Sequence, residues 1–233
     1  MDADKTRFNF LDRNDAGQRL ADEFASAPPD PRTVVLVLPR GGVPVGAAIA
    51  GRFGLPLEPL VVRKLGVPHF PEFAMGAIAA GGECVIDRAL VQRLRLSDAA
   101  IDEVIRRERA ELAGRDKRYP ISAPLASLKD RPVIVVDDGM ATGSTMLAAI
   151  ASLRAVQTGA ITVAVPVLAR EALLKIEPLV SRVLWLVCPE PFESVGQWYR
   201  DFRQLRDDEV IAQLSRAQRL PAPDISAGAT SSH

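Results

Sequence analysis

Histidine and cysteine are almost missing from this chain, with two of each in 233 residues. A Ser-His-Asp or Cys-His hydrolase would have to rest on His69 alone, because His233 is the last residue. Zinc sites built from His and Cys have almost no ligands to draw on. Cys84 and Cys188 are far apart and form neither a disulfide framework nor a metal motif, which fits a reducing compartment. Net charge is absent as well: 29 Lys and Arg offset 29 Asp and Glu. The chain therefore has no bulk electrostatic attraction for nucleic acid or anionic membrane, and only the Arg106–Arg109 stretch offers a local basic patch. No apolar run is long enough to span a bilayer, and the opening residues lack the basic-then-apolar layout of a secretory leader. A cytoplasmic protein without a membrane partner is expected. Catalysis, if any, has to run on carboxylates, cations, backbone amides and a metal borne by the substrate.

What is present in quantity is apolar, 48% of residues, arranged as strand-like runs separated by helix-length segments. TVVLVL (33–38), LEPLVV (57–62), PVIVVDD (132–138), ITVAVPV (161–167) and RVLWLV (182–187) read as strands, the continuous ones as strands buried on both faces. Helices are expected over 12–24, 43–53, 144–155 and 170–176. This alternation predicts an α/β fold, a mostly parallel sheet with βαβ crossovers and flanking helices. The middle departs from the pattern. FAMGAIAAGGECVID (73–87) reads as a β-hairpin turning near Gly81 and Gly82. A helix follows from an N-cap at Ser97 to about residue 117, with Ile101, Val104, Ile105 and Leu112 inward and a solvated face of Arg106, Arg107, Glu108, Arg109 and Glu111. One domain over 1–220 is expected, with an inserted lobe at 73–120 and a disordered tail at 221–233.

The most informative segment is VIVVDDGMATGSTM, 133–146. A strand delivers Asp137 and Asp138 to its C-terminal end, where open α/β sheets bind ligands. Gly139, Met140, Ala141, Thr142, Gly143, Ser144 and Thr145 then turn tightly into a helix. Small residues and hydroxyls at a helix N-terminus suit a phosphate, which gains roughly 0.3–1 kcal/mol from the helix dipole when exposed. Two carboxylates would repel that phosphate but would accept hydrogen bonds from sugar hydroxyls nearby. A nucleotide-triphosphate P-loop does not fit, since no lysine precedes the Ser/Thr pair.

The segment resembles the signature of type I phosphoribosyltransferases, which bind 5-phosphoribosyl 1-pyrophosphate (PRPP). The resemblance implies the Rossmann-like fold of that family with a C-terminal hood. It also implies that Asp137 and Asp138 hold the ribose hydroxyls, that residues 141–145 hold the 5′-phosphate, and that Mg2+ arrives on PRPP with the two acids assisting through water. Two further patches carry it. LPRGGVPVG (38–46) resembles the pyrophosphate loop, which puts Arg40, Gly41 and Gly42 against the diphosphate; that loop often carries a cis peptide in the family. VVRKLGVPHFPEF (61–73) resembles the mobile catalytic loop, with Arg63 and Lys64 neutralising departing pyrophosphate and Glu72 as the nearest carboxylate for proton traffic with a base. The RK-x-G opening is similar to that of adenine phosphoribosyltransferases.

Enzymes for 6-oxopurines usually place an aspartate where this chain has Ala141, so hypoxanthine, guanine and xanthine are disfavoured as acceptors. The motifs FLDRNDAGQRLA (10–21) and PFESVGQWYRDFRQLRDDEV (191–210) resemble those of bacterial members of the superfamily that carry an inserted lobe. Phe192, Trp198, Tyr199 and Phe202 fall where the family's base hood lies, with Phe192 and Trp198 the named candidates for stacking on a heterocyclic acceptor; packing of Trp198 and Phe202 against the core is the competing reading. A homodimer is expected from the same resemblance. Three functions stay open: transfer of ribose 5-phosphate from PRPP to a nitrogenous base, a non-catalytic PRPP- or nucleotide-binding regulator, and hydrolysis or phosphorolysis of a sugar phosphate.

Overall fold

Val34–Val37 is four β-branched or leucine residues in a row, all buried, and forms the first strand, β1. The structure, a computed structural model, describes residues 9–79, 84–116, 119 and 124–218, without the side chains of residues 71, 72, 113–116 and 218. Before β1 comes α1 (Arg13–Asp22), capped by Asp12, whose side chain accepts from the Asp15 N–H at 2.8 Å. After it come α2 (Gly42–Phe53), ended by Gly54 in the left-handed region, and β2 (Leu57–Pro59). A second group follows: β3 (Val62–Val67), β4 (Phe70–Ala79), β5 (Cys84–Ile86), α3 (Arg88–Arg93) and α4 (Asp98–Asp116). The chain then returns to the frame with β6 (Val133–Val136), α5 (Ser144–Ala155), β7 (Ile161–Val167), α6 (Arg170–Ile176), β8 (Arg182–Val187) and α7 (Asp207–Gln218).

β1, β2, β6, β7 and β8 make one five-stranded parallel sheet in the order β2-β1-β6-β7-β8. Alternate residues face opposite ways along each strand, and the burial follows that period. Val35, Val37, Ile134 and Val136 enter a core shared with α1, α2 and α7; Val34, Leu36, Val133 and Val135 enter one shared with α5 and α6. The α/β expectation is met, and both flanking layers are present.

β3, β4 and β5 form a separate antiparallel sheet, in that order. Three expectations are corrected here. The stretch 57–62 is not one strand: β2 stops at Pro59, the Leu60 N–H bonds Val37 O at 2.8 Å, and Val62 starts the second sheet. The stretch 61–73 is not a loop: its Pro and Gly punctuation is absorbed by a turn at 68–69 and by register shifts on either side of Gly66, opposite Ala74 and Leu65's partner Gly76. The second sheet therefore starts at Val62, not at Phe73. Leu65, Val67, Met75 and Ile78 share one cluster with Val91 of α3 and Ile101, Val104 and Leu112 of α4, continuous with the α1/α2/α7 layer, while Val62, Ala77 and Ala79 join the α5/α6 layer. The expected turn at Gly81 and Gly82 and the tail at 221–233 lie outside the described residues. The Ser97 cap is present, with its hydroxyl 3.3 Å from the Ala100 N–H.

Candidate active site

β1 and β6 are neighbours, and their connections leave in opposite directions, β1 toward β2 and β6 toward β7. That divergence opens a crevice at their C-terminal ends. Both signature loops emerge there. After β1 the chain passes through a cis peptide between Pro39 and Arg40 and turns into α2 at Gly41 and Gly42. After β6 it runs from Asp137 to the start of α5. The two loops touch: a Cβ on Gly41 would overlap the Asp138 carboxylate, and one on Gly42 would overlap the Val136 carbonyl. Glycine at 41 and 42 is thus required by close approach and not by backbone angle, since Gly41 has ordinary helical angles.

The loop into α5 divides into two halves. Gly139 lies under Val195, and Met140 is buried with its N–H on Val167 O (2.9 Å) and its carbonyl accepting from the Ala169 N–H (2.8 Å). Both face the protein. Beyond them the backbone turns outward. Ala141 and Thr142 are exposed, and among the described residues none accepts from their N–H groups. Gly143, at φ 74, makes the turn that β-carbon-bearing residues resist, and the Thr142 and Ser144 hydroxyls lie 3.2 Å apart at the head of α5. The outward half of the loop is therefore 141–145, with Gly139 and Met140 as its anchor.

The acid pair is asymmetric. Asp138 receives the Arg13 Nε–H at 2.7 Å, and the two side chains are only 10% and 14% exposed for Arg13 and Asp138 respectively. Arg13 also donates from Nη1 to the Arg203 carbonyl at 3.0 Å and lies 3.9 Å from the Phe202 ring centroid. The Tyr199 hydroxyl donates to the Asp138 carbonyl. Burial, followed by the nearby Asp138 charge, raises the Tyr199 phenol so far that it stays a donor. Among the described residues none forms an ion pair with Asp137, whose carboxylate accepts the Asp138 N–H at 2.9 Å. Burial and then the neighbouring Asp138 charge push its carboxyl well above the ordinary carboxylate range. Arg13 and Arg203 were not singled out from the sequence, and Tyr199 and Phe202 only as members of the aromatic-rich segment before α7. The only signal was that both terminal motifs are dense in chemistry-bearing residues, and the Arg13–Asp138 contact spans 125 positions.

A cleft of about 690 Å3 runs from Arg40, Ser144 and Thr145 to Arg63 and Lys64 on β3 and to Arg107 and Glu108 on α4. The Arg63 guanidinium is tied to Glu108 Oε2, at 2.9 Å from Nε and 2.7 Å from Nη2. Arg106, Arg107, Arg109 and Glu111 are exposed as expected of the solvated face of α4, but Glu108 is buried, 8% exposed, against Arg63 of β3. At the far wall Asp207, at the start of α7, faces Arg40 Nη1 at 3.7 Å and accepts the Tyr119 hydroxyl at 2.9 Å. Glu72 belongs to β4, and its side chain lies outside the described residues. Phe192 and Trp198 are partly buried against a cluster of Phe10, Val167 and Tyr199 and do not line the cleft. Among the described residues no group of three or more His, Cys, Asp or Glu is arranged to hold a metal ion. No described helix is long and apolar enough to cross a membrane.

Comparison with known proteins bears on the same segments. A family model described as the phosphoribosyl transferase domain matches residues 13–197. Two proteins of Mycobacterium tuberculosis, from strains CDC 1551 and H37Rv, carry the provisional name phosphoribosyl transferase; each is 42% identical over 210 residues, 90% of this chain and 47% of theirs. The chain spans about half the length of these curated relatives. A crystal structure of a Thermus thermophilus protein superposes with a TM-score of 0.80 at 37% identity, covering 90% of this chain and 99% of that one.

Proposed function

The chain belongs to the phosphoribosyl transferase domain family, and from that premise we propose that it transfers the ribose 5-phosphate group of Mg–PRPP to a nitrogenous base and releases pyrophosphate. In this reading the 5′-phosphate sits on the outward N–H groups of Ala141 and Thr142, the hydroxyls of Thr142, Ser144 and Thr145, and the N-terminus of α5. Asp137 and Asp138 take the ribose hydroxyls. Arg40 and the Gly41–Gly42 turn take the pyrophosphate. The bond from ribose C1 to the pyrophosphate oxygen breaks as the bond to the acceptor nitrogen forms, and the growing charge on the leaving group meets Arg40 and Lys64 across a walled cleft. Arg63 joins them only by leaving Glu108. Mg2+ would arrive with the substrate: Asp138 is already engaged by Arg13, no cluster of three or more metal-ligating side chains exists among the described residues, and Asp137 and Asp138 would assist a PRPP-borne ion through water, which would help neutralise the leaving pyrophosphate.

The observation that carries this reading is the meeting of two loops from adjacent strands, with Ser144 and Thr145 at the head of α5 on one and Arg40 on the other at one end of the cleft. Incubation with Mg–PRPP and a panel of heterocyclic bases is expected to release pyrophosphate in a base-dependent way. Ala141 leads us to expect 6-oxopurines to be poor acceptors. Base-independent release would indicate hydrolysis instead. A PRPP-binding regulator is the second reading, favoured by the engagement of Arg63 with Glu108; PRPP binding with no turnover on any base supports it.

A further inference from the structure

We infer, building on the reading of Asp138 as a ribose ligand, that Arg13 is the positioning residue of the ribose subsite and that the segment 199–207 is the strap that holds Arg13 in place. Three contacts from that short segment converge on the site. The Tyr199 hydroxyl donates to the Asp138 carbonyl, the Arg203 carbonyl accepts from Arg13 Nη1, and Asp207 faces Arg40. The Phe202 ring lies under the guanidinium, and Tyr199 stacks on both Phe10 and Phe202 with ring centroids 5.2 and 5.1 Å apart. The strap lies beyond residue 197, where the family match ends, and Arg13 is the residue at which that match begins.

The chemistry explains why such a brace is useful. A carboxylate that must accept from a sugar hydroxyl has to present one oxygen in a fixed direction. Arg13 Nε occupies Asp138 Oδ2, so the geometry leaves Oδ1 as the oxygen for the ligand. Gly41, having no Cβ, lets that carboxylate rest directly against the pyrophosphate turn. The guanidinium is fixed by two directional hydrogen bonds and a ring face, a combination that a lysine ammonium cannot reproduce.

The test measures PRPP binding by calorimetry and KM and kcat by pyrophosphate release, with thermal unfolding alongside. Arg13→Gln is expected to weaken PRPP binding about 10- to 100-fold, as a displaced positioning group does. Arg13→Lys should restore little of it, and Arg13→Gln in an Asp138→Asn background should add little to the loss from Asp138→Asn alone. Arg52→Gln, on α2 and paired with the exposed Asp22 at the end of α1, is the control and should leave affinity unchanged. Full affinity in a folded Arg13→Gln protein, or additive losses in the double variant, overturns the inference and leaves the proposed function standing. Failure of the wild-type protein to bind Mg–PRPP overturns both.

Discussion

Asp137 carries a charge that the fold does not compensate well. Burial and the adjacent Asp138 raise its folded pKa above the ordinary value, so between those two values the folded state holds the extra proton. Stability then falls as pH rises through that window, and the penalty is complete above the folded pKa. Asp137→Asn keeps an acceptor for the Asp138 N–H and removes the charge. It should stabilise the ligand-free protein at neutral pH by about 0.5–2 kcal/mol, with the gain vanishing as pH is lowered toward the ordinary aspartate value, while PRPP affinity drops. Urea unfolding at several pH values checks this; a loss of stability at neutral pH contradicts it. The same carboxyl predicts that PRPP affinity in the wild type rises with pH across the window, as the ionised acceptor forms. Gly41→Ala is the complementary change. Its backbone angles suit alanine, so overpacking against Asp138 should cost about 1–3 kcal/mol and should weaken PRPP binding by far more than it weakens folding. Equal affinity for both proteins would detach Asp138 from the ligand.

At the level of elements, α2 shows how close packing and helix propensity divide a single helix. A Cβ on Gly46 would overlap Val37 on β1, whereas one on Gly51 would meet nothing within 4 Å. Gly46→Ala is expected to destabilise by about 1–3 kcal/mol through overpacking, and Gly51→Ala to stabilise by about 0.5–1 kcal/mol through lower backbone entropy in the unfolded chain. Denaturant midpoints of the two variants should move in opposite directions. The elements of the frame were readable from sequence because each obeys one period: α5, β7, α6 and β8 occupy the expected residues. The hairpin expected over 73–87 is also present, β4 pairing antiparallel with β5, but the pairing of β3 with β4 was not legible, because Gly66, Pro68 and Pro71 punctuate that stretch as they would a loop. Glu108 was misread for a related reason. Its helix has charges around most of its circumference, and nothing local indicates which one a distant strand will cover.

For the whole molecule, the legible part of the site was the part built from contiguous sequence, the two βα turns. The remainder is assembled from ends of the chain far apart in number: Arg13 from α1, Tyr199 and Phe202 before α7, and Asp207 at its start. Spacing rules see only neighbours along the chain, so this assembly left no local signature beyond the richness of both motifs. It does make a global prediction. Binding of PRPP should slow hydrogen exchange in α1 and in 199–207 as well as in the turn that grips phosphate, because these segments share Asp138. Protection restricted to 139–147 would argue that the ends are passive packing.

The contact of Gly41 with Asp138 has a kinetic corollary. On the proposed reading, the part of the site that takes the sugar and the part that takes the departing diphosphate meet through one bare α-carbon, so neither can relax without moving the other. Whichever product lingers after turnover keeps the vacated half in shape for its counterpart. Ribose 5-phosphate, standing in for the sugar-phosphate part of a nucleotide product, and pyrophosphate should accordingly bind with positive cooperativity, each tightening the other by the same factor; independent binding of the two in calorimetry would contradict this.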